Sequence, residues 1–179
     1  MKKIILTAAA VFAFSFANAQ EAKMGLAKGD VFVTGSINTT SITNQDSSTG
    51  IAPSVGYFVS DNISVLASLD TSKKGAVKST MIDLGAAYNF NAGNQFSSRI
   101  GASIGLGNST VSPVDYKSTT FTLGYGITYF VSSHFALIAD LDVLNYESKK
   151  ADVAGAKAVN TTSIGVDLSN ISLGLAYKF

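Results

Sequence analysis

Apolar residues alternate with small or polar ones through most of this chain. Val31, Val33, Gly35, Ile37 and Thr39 alternate with Phe32, Thr34, Ser36 and Asn38. The pattern recurs over Ile51 to Val59, Ile63 to Leu69, Thr80 to Phe90, Phe96 to Leu106, Phe121 to Val131 and Phe135 to Val143. A final segment runs from about Thr162 to Phe179. A period of two over such lengths predicts strands, and there are eight segments. The last one changes phase: Ile164, Val166 and Leu168 are even, whereas Ile171, Leu173, Leu175, Tyr177 and Phe179 are odd. A one-residue phase change within a strand predicts a β-bulge near Ser169-Asn170.

The connections alternate in length. Ser60-Asp61-Asn62, Asn91 to Gln95 and Ser132-Ser133-His134 are tight, while about 40–50, 70–79, 107–118 and 145–161 are longer. An even number of antiparallel strands with short turns at one end and longer loops at the other is the layout of an outer-membrane barrel. Both ends of the barrel domain then lie on the short-turn, periplasmic side.

The residues before the first strand agree. Met1, Lys2 and Lys3 precede an apolar run, Ile4 to Phe16, and Ala17-Asn18-Ala19 is a small-x-small cleavage site. Residues 1–19 therefore read as a secretory signal peptide, with 20–179 as one barrel domain of 179 − 19 = 160 residues. Losing Lys2 and Lys3 leaves 11 basic residues against 12 acidic ones, a net charge of −1, and gives no field suited to nucleic acid. The chain has no Cys, which excludes a lipid-anchored cysteine, disulfides and thiol chemistry.

Composition sharpens the picture. Only 14% of residues are charged, where about a quarter is usual. No apolar run after the signal approaches the roughly 18 residues of a membrane helix. An exported, apolar chain of this kind crosses a membrane as a closed β-barrel, whose backbone groups pair among themselves.

The second phase of each strand supplies the lumen. Gly56, Gly85, Gly101, Gly105, Gly124, Gly126 and Gly174 fall on it, as do Ser64, Ser68, Ser97, Ser103, Thr120, Thr122 and Thr128. Small inward residues suit the narrow bore of eight strands. A soluble barrel would need the reverse, and this phase is too small and uncharged for a solvated exterior. The lysines are expected in loops. Tyr57, Tyr88, Phe90, Phe96, Tyr129 and Phe135 lie beside the short turns on the apolar phase, with Tyr177 and Phe179. They predict a periplasmic aromatic girdle; Tyr116 and Tyr146 are candidates for the outer one.

Candidate chemistry is sparse. Arg99, the only Arg, is inward by phase, as are Asp83, Asp140, Asp70, Asp142 and Asp167. A charge in a narrow bore is costly unless paired, so an interior cluster of Arg99 with Asp83 and Asp140 is expected, either rigidifying the barrel or gating it. His134 is the only His and sits in a short turn. No Ser-His-acid set or His-rich metal site results, and the expectation is a protein without enzymatic activity or cofactor. Lys73, Lys74 and Lys78 make the second long loop basic, and Lys149, Lys150 and Lys157 belong to the fourth. They are solvated tips, or contacts to lipid A phosphates or an acidic surface.

The signal peptide, the eight alternating strands and the terminal AYKF resemble the small outer-membrane β-barrels of the porin family, such as OmpX and the OmpA transmembrane domain. The stretch PSVGYFVSDNISV, Pro53 to Val65, is similar to the second hairpin of such barrels from Bacteroidetes-type bacteria. The resemblance implies that Ile171, Leu173, Leu175, Tyr177 and Phe179 form the C-terminal signal read by the barrel-assembly machinery. It implies periplasmic chaperones during biogenesis, outer-membrane lipids and lipopolysaccharide as surroundings, and a monomer. The resemblance to OmpA is to its barrel alone, and the tethering role of OmpA's peptidoglycan-binding domain is not expected here. The implied function is a structural or surface-interaction role through the extracellular loops, with a narrow porin for ions or small solutes as the alternative.

Overall fold

The computed structural model describes residues 24–40, 48–111, 113–165 and 171–179. Its strands are β1 Val31–Thr40, β2 Ser48–Phe58, β3 Ile63–Lys74, β4 Val77–Phe90, β5 Phe96–Val111, β6 Val114–Phe130, β7 Phe135–Ala151, β8 Val159–Ile164 and β9 Ser172–Lys178. Each strand from β1 to β7 pairs antiparallel with the next, and β9 lies between β7 and β1. That last pairing closes the sheet. β8 and β9 take the same edge of β7 at different heights, so the ring has eight positions. No helix among the described residues is long and apolar enough to cross a membrane.

The apolar phase faces out. Leu84, Leu106 and Leu173 are 65%, 66% and 67% exposed, an arrangement stable only against lipid. The outward phases of the last two strands differ: on β8 Thr162 pairs with outward Tyr146, an even position, whereas Leu173 and Leu175 face out on β9 at odd ones. The bulge expected near Ser169-Asn170 lies outside the described residues.

A bulge of another kind lies in β7. Leu123 pairs with Leu144 but Gly124 with Asp142, which leaves Val143 as the extra residue. Below it the inward positions are even, including Ile138 and Asp140; above it Asn145 turns inward and donates to Thr122 Oγ1 at 3.0 Å. Alternation through Val143 concealed this, because Val143 and Leu144 are both apolar.

Three of the four expected long loops, 70–79, 107–118 and 145–161, are mostly strand, while residues 41–47 of the first lie outside the described residues. β3 and β4 continue to Lys74 and from Val77, joined by two residues, of which Gly75 takes φ +57°. β5 and β6 extend to Val111 and from Val114, and β7 to Ala151. Lys73, Lys74 and Lys78 are therefore strand residues and not a loop patch. Ser, Thr and Lys at these ends look like loop composition, yet cross-strand pairing beyond the membrane accepts polar residues on both faces.

The bore also departs from the expected lining of small residues. At the short-turn end Phe58 and Phe130 are 0% and 1% exposed and pack with Leu26, Ile138 and Ala176. Phe32 meets Phe58 edge-on, with centroids 5.8 Å apart. Leu26 comes from the segment before β1, which crosses this end. Leu26 N–H donates to Ala92 O at 2.6 Å, Gly29 N–H to Phe58 O at 2.9 Å and Lys28 N–H to Asp61 Oδ1 at 3.2 Å. Gly25 has φ +92°, and a Cβ there would lie 2.6 Å from Ala92 O, so glycine is required for the approach. Lys178, inward on β9 and buried, donates from Nζ to Gly25 O at 2.7 Å and stands 3.8 Å from Asp30 Oδ2. This lysine is part of the barrel's interior, contrary to the assignment of all lysines to loops.

Truncating a fully buried ring of this cluster leaves a void, so Phe130→Ala is expected to destabilise the folded barrel by roughly 3–5 kcal/mol. Urea unfolding in lipid vesicles measures it; a loss below about 1 kcal/mol would mean that the apolar cluster contributes little.

Candidate functional site

The interior charge site is one row across three strands. Arg99 on β5 pairs with Gly126 on β6, and Gly126 pairs with Asp140 on β7. Arg99 Nη2 donates to both carboxylate oxygens of Asp140, at 2.6 and 2.7 Å, and Nη1 donates to Thr128 Oγ1 at 2.9 Å. The guanidinium spans the middle strand because Gly126 has no side chain. A Cβ at Gly126 would overlap Asp140 Oδ1 and lie 2.8 Å from Arg99 Nε. These are charge-assisted bonds with a doubly engaged carboxylate, and the side chains are 23% and 39% exposed.

Asp83 does not join them. It pairs with Gly105, six residues along β5 from Arg99 and so about 20 Å away along the strand. The hairpin register places Asn89, not Asp83, opposite Arg99. Asp83 instead packs over Gly105 beside Thr120 and lies within hydrogen-bonding reach of Asp70. The expected three-residue cluster is therefore an Arg99–Asp140 pair and a separate carboxyl group higher in the bore. Asp142 borders the cavity with Arg99 and Asp140; Asp167 lies outside the described residues.

That cavity has a volume of about 210 Å³. Its apolar floor is Leu26, Phe32 and Phe58, and Arg99 and Asp140 stand in its polar wall. The floor is the part that sequence reading missed. Inward Lys178 in the last strand was the available signal, since a buried lysine must find acceptors. Among the described residues no group of His, Cys, Asp or Glu is placed to hold a metal. His134 stays at the short-turn end, with Nδ1 2.9 Å from Ser133 Oγ and its ring stacked 5.8 Å from Tyr177.

Outside, Tyr57, Tyr88, Phe90, Phe96, Tyr129 and Phe135 are exposed around the short turns. Asn62 and Gln95 in those turns donate to the Tyr88 and Tyr129 hydroxyls, each at 3.3 Å. Leu173, Leu175 and Tyr177 face out on β9, opposite Ala139, Leu137 and Phe135, and Ile171 just before them is exposed. The Phe179 ring meets Tyr177 at 4.9 Å, and its N–H bonds Val31 O at 3.0 Å. At the other end Tyr146 faces out, but Tyr116 shares the inward phase of Thr120 and lies under Lys149 Nζ at 5.1 Å. Lys73 pairs across strands with Lys78, whereas Lys74 takes the opposite phase and pairs with Val77.

The family described as outer membrane protein beta-barrel domain matches residues 6–179. Among solved structures the chain is similar to the N-terminal β-barrel domain of Pseudomonas aeruginosa OprF, with TM-score 0.59, 16% identity and coverage of 86% of this chain and 100% of that one. It is similar to Neisserial surface protein A, with TM-score 0.52, 19% identity and coverage of 84% and 96%. A de novo designed transmembrane β-barrel gives TM-score 0.52, 13% identity and coverage of 87% and 100%. At these identities the likeness is one of fold. No curated protein matches the chain by sequence.

The interior pairing is separable by mutation. Arg99→Ala leaves Asp140 without its cation and is expected to cost roughly 1–3 kcal/mol, discounted for partial exposure. Arg99→Ala combined with Asp140→Ala should cost clearly less than the two losses added, whereas Arg99→Ala and Asp83→Ala should add to within about 0.5 kcal/mol. Strong Arg99–Asp83 coupling in these cycles would contradict the register.

Proposed function

We propose that this chain, which belongs to the outer-membrane β-barrel family, is a non-enzymatic integral barrel with a blind bore. Its role is structural and surface-interacting, and it is exercised at the end opposite the short turns. It is an outer-membrane protein. In this reading the short turns and both termini of the barrel domain face the periplasm, and Ile171, Leu173, Leu175, Tyr177 and Phe179 present the strand that the assembly machinery recognises.

The observation that carries the reading is the seal. Segment 24–30 crosses the short-turn end over Phe58 and Phe130, and two of the short turns, the end of β2 and the C-terminal strand hold it there by hydrogen bonds. A bore filled by two fully buried rings offers no continuous polar path. Catalysis has little to work with: His134 stands at the short-turn end, away from the outer leaflet, beside Ser133.

The narrow porin remains the second reading because a cavity of about 210 Å³ lies above the seal, beside a partly exposed ion pair. Displacing segment 24–30 would open that cavity to the other side.

Planar-bilayer recording tests the two. The refolded barrel is expected to show no unitary steps, and neither is Arg99→Ala, because the seal lies below the ion pair. Leu26→Asp with Lys178→Ala is expected to produce steps by releasing the segment. Stable steps from the unmodified barrel that change in Arg99→Ala would establish the porin instead.

A further inference from the structure

The lysines at the hairpin end follow a rule that their loop-like composition hides. On β3 and β4 the outward pairs run Leu69–Ile82, then Thr71–Thr80, then Lys73–Lys78. On β6 and β7 they run Phe121–Tyr146, then Thr119–Ser148, then Lys117–Lys150. Each ribbon thus repeats one order away from the membrane: apolar pair, hydroxyl pair, lysine pair. All four lysines are exposed, on the phase that lower down meets lipid. The bulge at Val143 is what brings Lys150 to this face, since it shifts the outward phase of β7 from odd to even.

Like charges directly opposite each other across strands are destabilising. Among the described residues Lys73, Lys78 and Lys150 have no carboxylate partner, while Lys117 Nζ meets Asp152 at 3.0 Å. Asp115 shares the outward face and accepts from Thr110 Oγ1 at 2.7 Å. Four lysines against these two carboxylates leave the face cationic. Asn108 and Thr110 on β5 lie between the two pairs, and β4 and β6 are two strand spacings apart, about 10 Å.

We propose that the two cross-strand lysine pairs form a binding surface for the phosphates of a phosphorylated glycolipid in the outer leaflet. This rests on the orientation given under the proposed function and names a partner for that end. The pairs stand four residues beyond the last apolar pair, about 10 Å along the membrane normal for tilted strands. That is the headgroup level, and a lysine stem lies along the apolar surface while its ammonium reaches the phosphates. The occupant is a lipid because the patch continues the lipid-facing belt, whereas a protein docking on the hairpin tips would not need its lysines on that phase. Phosphate supplies the countercharge that Lys73, Lys78 and Lys150 lack among the described residues.

The test uses the full barrel refolded into phosphatidylcholine vesicles containing lipid A, or lipid A with its phosphates removed. The lipid retained after mild detergent extraction is measured by native mass spectrometry. Heat-modifiable migration on gels reports insertion independently. The barrel is expected to retain lipid A and to release the dephosphorylated form. Lys73→Gln with Lys78→Gln should lower retention by about 25-fold, near fivefold per lysine; Lys117→Gln with Lys150→Gln should act in the same direction, and Arg at the same positions should preserve retention. Inserted barrels that retain both lipids equally, or Gln variants that retain lipid A like the parent, would overturn the proposal while leaving the membrane barrel intact. Failure of every variant to insert would remove the membrane reading and this surface together.

Discussion

Hydrocarbon offers no partner to a backbone N–H or C=O, and the rest of this structure depends on that constraint. Each unpaired group inside a bilayer costs several kcal/mol, so an eight-position sheet cannot keep an edge there. The β1–β9 ladder, from Phe32–Lys178 to Ser36–Gly174, removes the edge at the short-turn end. Closure then decides which side chains go where. The outer phase meets lipid and must be apolar, while the inner phase is confined to a narrow bore. Gly174 shows how tight the seam is: a Cβ there would lie 2.7 Å from Gly35 O, across the same ladder.

Confinement also governs the interior charge. A guanidinium in the bore needs an anion within reach, and an arginine side chain is long enough to find one across an intervening strand, about 10 Å away. Arg99 and Asp140 flank Gly126 for that reason. The glycine belongs to the ion pair as much as its two charged members do, because any side chain at that position would occupy the space of the guanidinium. The same logic operates at Gly105, whose missing Cβ leaves room for Asp83 and Thr120. Glycines on the inward phase therefore serve two purposes: they fit the narrow bore, and they create places for particular long neighbours.

Sequence periodicity reported the barrel well because the two phases of a membrane strand meet such different surroundings. Strand existence, the three tight turns and the outward aromatics follow from it directly. It failed where the physics weakens that contrast. Beyond the bilayer both faces of a ribbon are wet, so Thr71 to Lys74 and Ser118 to Val114 carry no alternation and look like loops, although their backbones are paired. At Val143 two adjacent apolar residues hid a phase shift. The Arg99–Asp83 pair failed for want of register: residues on neighbouring strands with the right phase still lie about 20 Å apart along the strand if their pairing is off by six. The turn at Asn91 to Gln95 already limited the answer, since a hairpin centred there sets Arg99 near Asn89. The seal was the least legible element, because segment 24–30 has no period and acts through backbone groups and a single leucine.

The likeness to a designed transmembrane barrel separates what the fold needs from what this chain adds. A designed transmembrane β-barrel shares the fold at 13% identity, so closure, apolar exterior and small interior residues are not evidence of any activity. Features that a bare barrel does not require are the informative ones. A peptide segment crossing the short-turn end, held by a buried lysine on a backbone carbonyl, is unnecessary for closure. So are paired lysines at two places on the lipid-facing phase, which cost cross-strand repulsion. Both features act at the ends of the barrel and leave its wall unspecialised. One end of the barrel is filled with apolar rings, and the other carries the two cross-strand lysine pairs. A bare barrel asks for neither, so the search for what this chain adds belongs at its two ends and not along its wall.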